Sequence, residues 1–343
     1  MNLKELSEIL GLSQTTVSRA LNGYPEVNAE TRQRVEAAAR QHNYSPNRRA
    51  TSLATGRSMT IGHVIPASTQ HEMVNPIFGD FVAGAADVYG ERGYDMLFSH
   101  VTDGDERRAY TELKRKGTVD GVIVQGPKVN DNRIDELTKL GLPFVVHGRA
   151  SGAQADYSWV DVNNRRSFKR ATEFLLDLGH TRIALINGLE DMDFAQRRRA
   201  GYLEALEERG VSPDPALMRS AEMTEVYGHH ETRDMLQLDD PPTAILAASM
   251  ISAIGVRRAI EEVGLTIGRD VSVITHDDEL SYLRNGQDVP IFTATRSSVH
   301  QAGRVLAEML LRRIEEPDAP PEHQLFEAEL VVGRSTGPAP TGD

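Results

Sequence analysis

Residues 3–22, LKELSEILGLSQTTVSRALN, have the pattern of two short helices joined by a tight turn. Apolar residues recur at helical spacing until Gly11 ends the first helix. Ser13 can begin the second helix, because its hydroxyl can accept a hydrogen bond from a backbone N–H group of the first turn. A third helix is predicted after Asn28, which can cap it in the same way. The pattern therefore predicts an all-α domain over residues 1–44.

Helix, glycine-containing turn and helix is the layout of a helix-turn-helix, whose second helix lies in the DNA major groove. The residues that would contact base edges are Gln14, Thr15, Thr16, Ser18 and Arg19. Glutamine can make two hydrogen bonds with adenine, and arginine can make two with guanine. A small three-helix bundle with a polar surface is the alternative that this pattern alone leaves open.

The charge of the chain is unevenly distributed and supports DNA binding at one end. Residues 1–58 contain eight Lys or Arg against five Asp or Glu, whereas residues 59–343 contain 30 against 45. The second part therefore has a balance of −15 and the first a balance of +3, which together give the net charge of −12. A basic segment attracts the phosphate backbone of DNA, whereas the acidic remainder indicates little beyond solubility.

The composition excludes several kinds of site and location. The chain has no cysteine, so disulfides and thiolate metal sites are excluded and a reducing compartment is permitted. The first helix carries Glu5 and Glu8, whereas a signal peptide needs an uninterrupted apolar run. No run approaches the roughly 18 apolar residues of a membrane span. We therefore expect a cytoplasmic protein with no membrane partner, no metal and no cofactor.

The chain after residue 44 divides into a linker and a long α/β body. Residues 45–58 are basic, polar and interrupted by Pro46 and Gly56, which predicts a hinge. From Met59 onward apolar strands alternate with helices, which predicts parallel sheets with right-handed crossovers. The predicted strands are 60–65, 94–98, 121–125, 143–147, 182–187, 243–247 and 271–275. Because this number is high for one open sheet, we expect two similar α/β lobes.

The first domain and the hinge carry a set of motif residues at fixed spacing. They are Ser13, Thr16, Val17, Ser18, Arg19, Asn22, Val27, Thr31, Arg32, Tyr44, Pro46, Asn47, Ser52 and Leu53. This set resembles the DNA-binding head of the lac-repressor (LacI/GalR) family. The resemblance implies that Ser13, Asn22 and Asn47 join the DNA contacts, and that a homodimer binds double-stranded operator DNA. It also implies that the hinge becomes helical on DNA, with Leu53 wedged into the minor groove. Thr51 departs from the basic residue of many members, which puts one hinge contact in doubt.

The body carries further motifs of the same family. They are LGHTRIALING at 178–188, RRAGYLEAL at 198–206 and THDDE at 275–279. The resemblance implies a periplasmic-binding-protein-like body of two doubly wound parallel-sheet lobes, with crossings near 161–163, 290–294 and 325–328. Lobe one then comprises residues 59–162 and 291–326, lobe two comprises residues 163–290 and 327–335, and residues 336–343 form a disordered tail. The chain after Gly333 has two prolines and no leucine, so a dimer is expected without a tetramerising leucine heptad.

The effector site is expected between the lobes, because doubly wound lobes bind ligands at the carboxyl ends of their strands. Arg198 and Asp277 match ligand-holding positions of the family, and charged groups bond strongly to hydroxyls. Gln125, Asn163 and Phe194 match such positions without matching the residue type. The full predicted set is Asn75, Phe78, Gln125, His147, Asn163, Phe194, Arg198 and Asp277.

Three of these assignments have a structural alternative. Arg198 lies within a run of three arginines, so it either contacts the ligand or is an ordinary surface residue. Asp277 either holds the ligand or closes the lobes through a salt bridge. Phe194 either stacks on the ligand or packs at the start of a helix.

These observations predict a sequence-specific transcription regulator, expected to act as a repressor of carbohydrate-metabolism genes, with a small sugar as effector. Residues 276–298, HDDELSYLRNGQDVPIFTATRSS, resemble regulators of α-glucoside uptake. The alternative is a regulator that senses a non-sugar metabolite or a partner protein. An enzyme is the least favoured class, because the chain has no G-x-x-x-x-G-K-[ST], G-x-G-x-x-G or G-x-S-x-G motif.

Overall fold

The structure is a computed structural model that describes residues 1–44, 56–66, 74–102, 104–276 and 279–340. The chain forms two compact units, a head at Met1–Met59 and a body at Thr60–Asp343. Three predicted site residues, Asn47, Leu53 and Asp277, lie outside the described residues.

The head contains three helices, α1 (Leu3–Leu10), α2 (Gln14–Leu21) and α3 (Ala29–Gln41). A capping box begins α1, since the side chains of Asn2 and Glu5 each accept a hydrogen bond from the other's backbone N–H group. Gly11 ends α1 with a left-handed φ of 65°. The buried core of the head is formed by Leu6, Val17, Ala20, Val35 and Ala39. The local signals of the sequence therefore account for the head.

The body contains two six-stranded sheets with helices around them. The strands of the first sheet are β1 (Thr60–Pro66), β2 (Asp95–Val101), β3 (Gly121–Gln125), β4 (Phe144–His147), β5 (Trp159–Val162) and β11 (His323–Phe326). The strands of the second sheet are β6 (Ile183–Asn187), β7 (Met218–Ser220), β8 (Ala244–Ala247), β9 (Ser272–His276), β10 (Thr293–Arg296) and β12 (Glu329–Val331). The α-helices of the body are α4 (Pro76–Glu91), α5 (Glu106–Lys116), α6 (Asn132–Leu140), α7 (Asn164–Asp177), α8 (Asp193–Glu208), α9 (Glu225–Leu236), α10 (Met250–Glu262) and α11 (Val299–Glu315).

Each sheet is the centre of a doubly wound lobe. The sheet of lobe one has the order β11-β5-β4-β3-β1-β2, and all of its pairs are parallel. The sheet of lobe two has the order β12-β10-β9-β8-β6-β7 and is parallel except for the edge pair of β10 with β12. Every residue of β6, β8 and β9 is buried, as expected when helices cover both faces of a sheet. The fold class predicted from the sequence is confirmed.

The second crossing between the lobes lies later than the sequence predicts. Residues 291–296 are assigned above to lobe one, but Thr293 of β10 lies opposite Ile274 of β9 in the sheet of lobe two. The hydroxyl of Thr295 in β10 lies 2.7 Å from Nδ1 of His276, so a side chain of this polar strand is hydrogen-bonded within lobe two. The chain returns to lobe one only with α11, which packs against α4 and β4.

The predicted disordered tail is wrong for residues 336–340, which pack against lobe two. The backbone N–H group of Ala339 donates to the carbonyl of Leu178 over 2.9 Å. The carbonyl of Gly337 lies 3.1 Å from Nε2 of His180, and its N–H group donates to Ser272 over 3.1 Å. A glycine- and proline-rich composition predicts disorder, but these backbone groups pair with the ends of lobe-two elements. Residues 341–343 lie outside the described residues.

Candidate DNA-contacting surface and effector cleft

One face of α2 is accessible and carries most of the predicted DNA contacts. Gln14, Thr15 and Arg19 are exposed, whereas Val17 and Ala20 are fully buried against the other two helices. Residues four apart lie on the same face of a helix, so Thr15 and Arg19 are presented together. This exposed face provides the polar side chains that a major groove can accept.

Two of the predicted DNA contacts have a structural role in the ends of α2. The hydroxyl of Ser13 accepts a hydrogen bond from the backbone N–H group of Thr16 over 3.0 Å and begins the helix. The amide of Asn22 donates to the carbonyl of Ser18 over 2.8 Å and ends it. Their contacts with DNA therefore remain predictions.

Two arginines of α3 hold the head together. A guanidinium nitrogen of Arg32 donates to the carbonyl of Tyr24 over 2.8 Å, in the loop after α2. A guanidinium nitrogen of Arg34 donates to the carbonyl of Leu10 over 2.5 Å, at the end of α1. The motif residue Arg32 thus links α3 to the loop that follows α2.

A cavity of about 800 Å³ lies between the two lobes of the body. The predicted residues that line it are Asn75, Phe78, Gln125 and His147 from lobe one and Phe194 and Arg198 from lobe two. Small-molecule sites typically have volumes of about 300–1,000 Å³, so the cavity has room for a ligand larger than a single small ring. His276 also lines the cavity, while the adjacent Asp277 lies outside the described residues.

Arg198 is a buried cleft residue and not a surface arginine, with 5% of its area exposed. Its Nε atom donates to Oδ1 of Asn164 and its Nη1 atom donates to the carbonyl of Ala248, each over 2.7 Å. Its guanidinium carbon lies 4.7 Å from the ring centre of Phe194 and 5.1 Å from that of Phe168. Two fixed acceptors and two aromatic faces therefore hold the cation in one orientation.

The structure corrects the choice of asparagine at the start of α7. Asn163 does not line the cavity: it caps α7 through Arg166 and donates to Oε1 of Glu327 over 2.8 Å. The next residue, Asn164, lines the cavity and holds Arg198. A helix-capping side chain turns back toward its own helix, so the neighbouring position is the one that faces the cleft.

Gln125 and His147 form a polar pair on the lobe-one wall of the cavity. They lie opposite each other at the ends of the parallel strands β3 and β4, with Oε1 of Gln125 2.9 Å from Nδ1 of His147. The imidazole stacks on the ring of Phe81, with 4.3 Å between ring centres. Burial lowers the pKa of His147 to about 4, so the side chain is neutral near pH 7.

Two further histidines line the same cavity and were not among the predicted site residues. His63 stacks against Phe98 with 5.0 Å between ring centres, and burial lowers its pKa to about 4. Among the described residues, neither ring nitrogen of His63 has a hydrogen-bond partner. Burial, and next the charge of Arg198, hold the pKa of His276 well below its usual value. No sequence pattern indicated His63, because it lies inside strand β1 and not at its end.

Four other charged residues on the lobe-one wall form two ion pairs. Arg133 donates to Oδ2 of Asp131 over 2.7 Å, and Arg149 donates to Oδ2 of Asp161 over 2.7 Å. Burial alone would raise the pKa of Asp131, but hydrogen bonds and the charge of Arg133 hold it below its usual value. Burial raises the pKa of Asp161, and Arg149 opposes part of that shift. The guanidinium of Arg149 also lies 5.0 Å above the ring of Trp159.

Direct bonds join the two lobes on one side of the cleft. The N–H group of Asp193 donates to the carbonyl of Pro127 over 3.0 Å, and its carboxylate accepts from the N–H group of Ser151 over 2.6 Å. Arg197 pairs with Asp193 and donates to the hydroxyl of Ser151 over 2.7 Å. A more exposed ion pair joins Lys128 to Asp191 over 2.9 Å. These contacts, here called the clasp, comprise Pro127, Lys128, Ser151, Asp191, Asp193 and Arg197, and no sequence motif indicated them.

A cluster of possible metal ligands lies elsewhere on the body. Within the described part of the chain, ligand atoms of His230, Glu231 and Asp234 on α9 lie within 4.8 Å of one another. His230 and Asp234 are exposed, and Nδ1 of His230 lies 3.5 Å from a carboxylate oxygen of Glu231 and 3.6 Å from one of Asp234. Such clusters are common on helix surfaces, so this one does not indicate a metal site.

Comparisons with known proteins identify both units of the chain. The family model described as bacterial regulatory proteins, lacI family, matches residues 2–47, and that of the periplasmic binding protein-like domain matches residues 172–336. The chain is 46% identical to the HTH-type transcriptional regulator AglR of Rhizobium meliloti (strain 1021), over 99% of this chain and 95% of that protein. This chain belongs to the LacI family.

Solved structures of LacI-family proteins share its fold. The lac repressor dimer bound to operator and the anti-inducer ONPF has a TM-score of 0.82 at 27% identity, covering 98% of this chain and 99% of that one. The complex of the transcriptional regulator CelR with cellobiose has a TM-score of 0.72 at 28% identity, with the same coverage. Both the helix-turn-helix and the two-lobed body of this LacI-family regulator are therefore confirmed. Among its described residues, no helix is long and apolar enough to cross a membrane.

Proposed function

We propose that this LacI-family regulator represses carbohydrate-metabolism genes and that a sugar bound in the cleft sets its affinity for operator DNA. A sugar site needs fixed donors and acceptors for hydroxyl groups and an apolar surface for the ring. The cleft offers both in one cavity: Arg198, Gln125 and His147 supply fixed polar groups, and Phe194 supplies an aromatic face. This combination is the observation that carries the proposal.

Two relatives support the same effector class and the same assembly. The CelR structure is a complex with the disaccharide cellobiose, and the lac repressor structure is a dimer on its operator. Residues 276–298 resemble regulators of α-glucoside uptake, so we expect a neutral α-glucoside such as maltose. We further propose a cytoplasmic homodimer without catalytic activity, since its relatives are transcription regulators.

Calorimetric titration of the full-length protein tests the effector class. The panel is maltose, trehalose and sucrose as α-linked neutral sugars, cellobiose as a β-linked sugar, and glucose 6-phosphate as an anionic one. We expect a neutral α-linked sugar to bind and to change operator affinity. Failure of every neutral sugar on the panel would overturn the sugar proposal and favour another metabolite or a partner protein.

Arg19→Ala is expected to weaken specific DNA binding by about 1–3 kcal/mol and to relax the preference at one base pair of each half-site. The physical reason is that Arg19 lies on the exposed face of α2, where a guanidinium can bond a guanine edge. Binding is measured on a duplex selected by the wild-type protein from a random library, and on random DNA. Arg40→Ala, which removes an exposed charge from α3, is the matched control. Equal losses on both duplexes would assign Arg19 to the phosphate backbone alone.

Effector binding is expected to change the fluorescence of Trp159, the single tryptophan of the chain. Arg149 lines the cavity and covers the indole ring at 5.0 Å, so a ligand that contacts Arg149 alters the surroundings of the indole. The measurement is a maltose titration followed by emission, with Trp159→Phe as the control that keeps calorimetric affinity but loses the signal. Constant emission during calorimetrically verified binding would show that the ligand does not reach Arg149.

Asp193→Asn is expected to lower effector affinity by about tenfold, within the usual range of coupling between sites. Asp193 is buried and makes clasp bonds that exist only when the lobes are together, so a ligand held by both lobes benefits from them. Asp191→Asn, which breaks only the exposed pair with Lys128, is the control and should change affinity little. Equal effects of the two substitutions in a maltose titration would contradict a specific role of Asp193 in closure.

A further inference from the structure

A chain of hydrogen bonds between four side chains runs through the first crossing between the lobes, where β5 leads into α7. Nε of Arg149 donates to Oδ2 of Asp161 over 2.7 Å, and Nδ2 of Asn164 donates to Oδ1 of the same carboxylate over 3.3 Å. Oδ1 of Asn164 in turn accepts from Nε of Arg198 over 2.7 Å. Arg149 and Asp161 belong to lobe one, whereas Asn164 and Arg198 belong to lobe two. The chain therefore connects an ion pair of one lobe to the buried cation of the other.

The order of donors and acceptors in this chain matters because its central part is closed to water. Asp161, Asn164 and Arg198 expose 5%, 3% and 5% of their area. A guanidinium only donates, a carboxylate only accepts, and an amide has one donating and one accepting end. Between two guanidinium groups, one carboxylate followed by one amide matches every contact. Two amides would place two donors face to face, and two carboxylates would place two acceptors face to face.

The carboxylate of Asp161 also determines which way round the amide of Asn164 lies. An amide that turned over would place Nδ2 against Nε of Arg198, which brings two donors into contact. Two acceptors of Nδ2 oppose this turn, namely Oδ1 of Asp161 and the carbonyl of Val162 at 3.0 Å. Asn164 therefore presents its oxygen to Arg198.

We propose that Asp161 and Asn164 are positioning residues, which fix the direction of Arg198 in the effector cleft through one carboxylate and one amide in that order. Arg149 completes the chain by pairing with the carboxylate from the lobe-one side. The inference rests on the proposed function, namely that a sugar bound in the cleft is held by Arg198. It adds a contribution of lobe one to binding that acts through Arg198 and requires no contact of Asp161 or Asn164 with the effector.

Two single substitutions of nearly unchanged size break the order at different points. Asp161→Asn puts two amides in the chain, so one contact becomes donor against donor. Asn164→Asp puts two carboxylates in it, so the central contact becomes acceptor against acceptor. Because buried polar groups without a partner are costly, each variant should bind maltose about tenfold more weakly in calorimetric titration of the full-length protein.

The double variant, Asp161→Asn with Asn164→Asp, exchanges the two groups and restores the order. The amide at position 161 then accepts from Arg149 and donates to the carboxylate at position 164, which accepts from Arg198. We expect the double variant to bind maltose more tightly than either single variant. The recovery should be partial, because the carbonyl of Val162 loses its donor. Two independent structural defects would add instead, which would make the double variant the weakest binder.

The pH dependence of Asn164→Asp separates positioning from a loss of packing. Repulsion between two neighbouring carboxylates raises the pKa of one of them, and its proton then supplies the missing donor. The maltose affinity of this variant should therefore recover by up to about tenfold relative to the wild type as the pH falls from 8 to 5.5. A packing defect would lower the affinity equally at every pH.

The neighbours of the carboxylate pair keep their charge over this range of pH. Arg149 approaches from the loop after β4, and Arg197 and Arg198 approach from α8, and guanidinium groups stay charged. His276 of β9 interacts with Arg198 and stays neutral, because its pKa is held well below its usual value. The residue of β11 that lies opposite Asp161 is a leucine.

Asn163→Asp is the matched control, because it adds the same carboxylate one residue away and outside the cavity. Asn163 caps α7, and an aspartate caps a helix as well as an asparagine does. The control should bind maltose almost as tightly as the wild type at each pH, and operator binding without maltose shows that every variant is folded. A double variant that does not exceed both single variants would overturn the inference and leave the sugar proposal intact. So would an Asn164→Asp affinity that changes with pH only as the wild type does.

The single tryptophan gives a readout that needs no sugar. Arg149 lies over the ring of Trp159 at 5.0 Å, so protonation of the carboxylate pair should change the emission of Asn164→Asp without ligand. His323 stacks on the same ring in both proteins, so the quantity to compare is the difference from the wild type. If the wild type binds no sugar on the panel, the proposed function fails. A difference in emission that stays constant between pH 8 and 5.5 would then overturn this inference as well.

Discussion

Arg198→Met is expected to abolish the response of operator binding to the effector while leaving operator binding without effector close to that of the wild type. A ligand shifts DNA affinity only through its different affinities for two states of the body, so loss of the ligand contact removes the shift. Loss of a charged hydrogen-bond partner costs about 1.5–3 kcal/mol, which corresponds to roughly 10- to 150-fold in affinity. Methionine preserves much of the packing, because its flexible chain can fill the space between Phe168 and Phe194.

The measurement is operator affinity with and without maltose, for the wild type and the variant. Arg199→Met is the matched control, because Arg199 is half-buried and its nearest acidic partner is Glu190 at 3.7 Å. We expect the control to retain the response. A variant of Arg198 that still responds at the same maltose concentration would show that this residue only packs. Loss of operator binding in the absence of maltose would instead assign it to the stability of the body.

The three helices of the head, within residues 1–44, could be predicted from the sequence because their signals are local. The capping pair of Asn2 and Glu5, the left-handed Gly11 and the cap at Ser13 each act within one helical turn. The central strands of the body were equally predictable, since a buried parallel strand is a continuous apolar run. Such signals depend on neighbours in sequence and need no knowledge of the tertiary fold.

The strands that the sequence did not predict are short or polar, and most lie toward sheet edges. They are β5, β7, β10, β11 and β12. The segment TATR of β10 has no apolar run, yet Thr293 and Thr295 are buried because Ser335 and His276 supply their partners. Those partners are 42 and 19 residues away in the chain. A pattern read along the sequence cannot contain that information.

In the cleft too, the sequence predicts some features of the structure and not others: a match to a family position does not determine which way a side chain points. Gln125, Phe194 and Arg198, which were chosen by family position, line the cavity, whereas Asn163 does not and Asn164 does. Their contacts with an effector remain predictions. The consecutive residues Arg197, Arg198 and Arg199 point in different directions around α8. Arg197 belongs to the clasp, Arg198 lies in the cleft and Arg199 lies near the surface. Only the direction of each side chain distinguishes them, and that direction depends on how α8 packs against α7.

Acid is expected to destabilise lobe one in the range from pH 6.5 to 4, because of its buried histidines. Burial lowers the pKa values of His63 and His147 from 6.5 to about 4 in the folded chain. Between these values the unfolded chain binds protons that the folded chain does not, so the free energy of unfolding falls as the pH falls. Each histidine contributes a slope of up to about 1.4 kcal/mol per pH unit. Well above pH 6.5 both histidines are neutral in the folded and the unfolded chain, so this destabilising effect is absent there.

His63→Phe isolates this effect, because phenylalanine keeps the stack on Phe98 and does not titrate. Since neither ring nitrogen of His63 has a partner in the described part of the chain, we expect the variant to be at least as stable as the wild type at pH 7.5. The difference in the free energy of unfolding between the variant and the wild type should grow toward pH 4.5. The increase is up to about 1.4 kcal/mol per pH unit, because the variant lacks one titrating histidine. The measurement is denaturant unfolding followed by Trp159, which lies on β5 of the same lobe, with exposed His230→Gln as control. Parallel pH profiles for wild type and His63→Phe would show that His63 takes up its proton equally well in the folded chain.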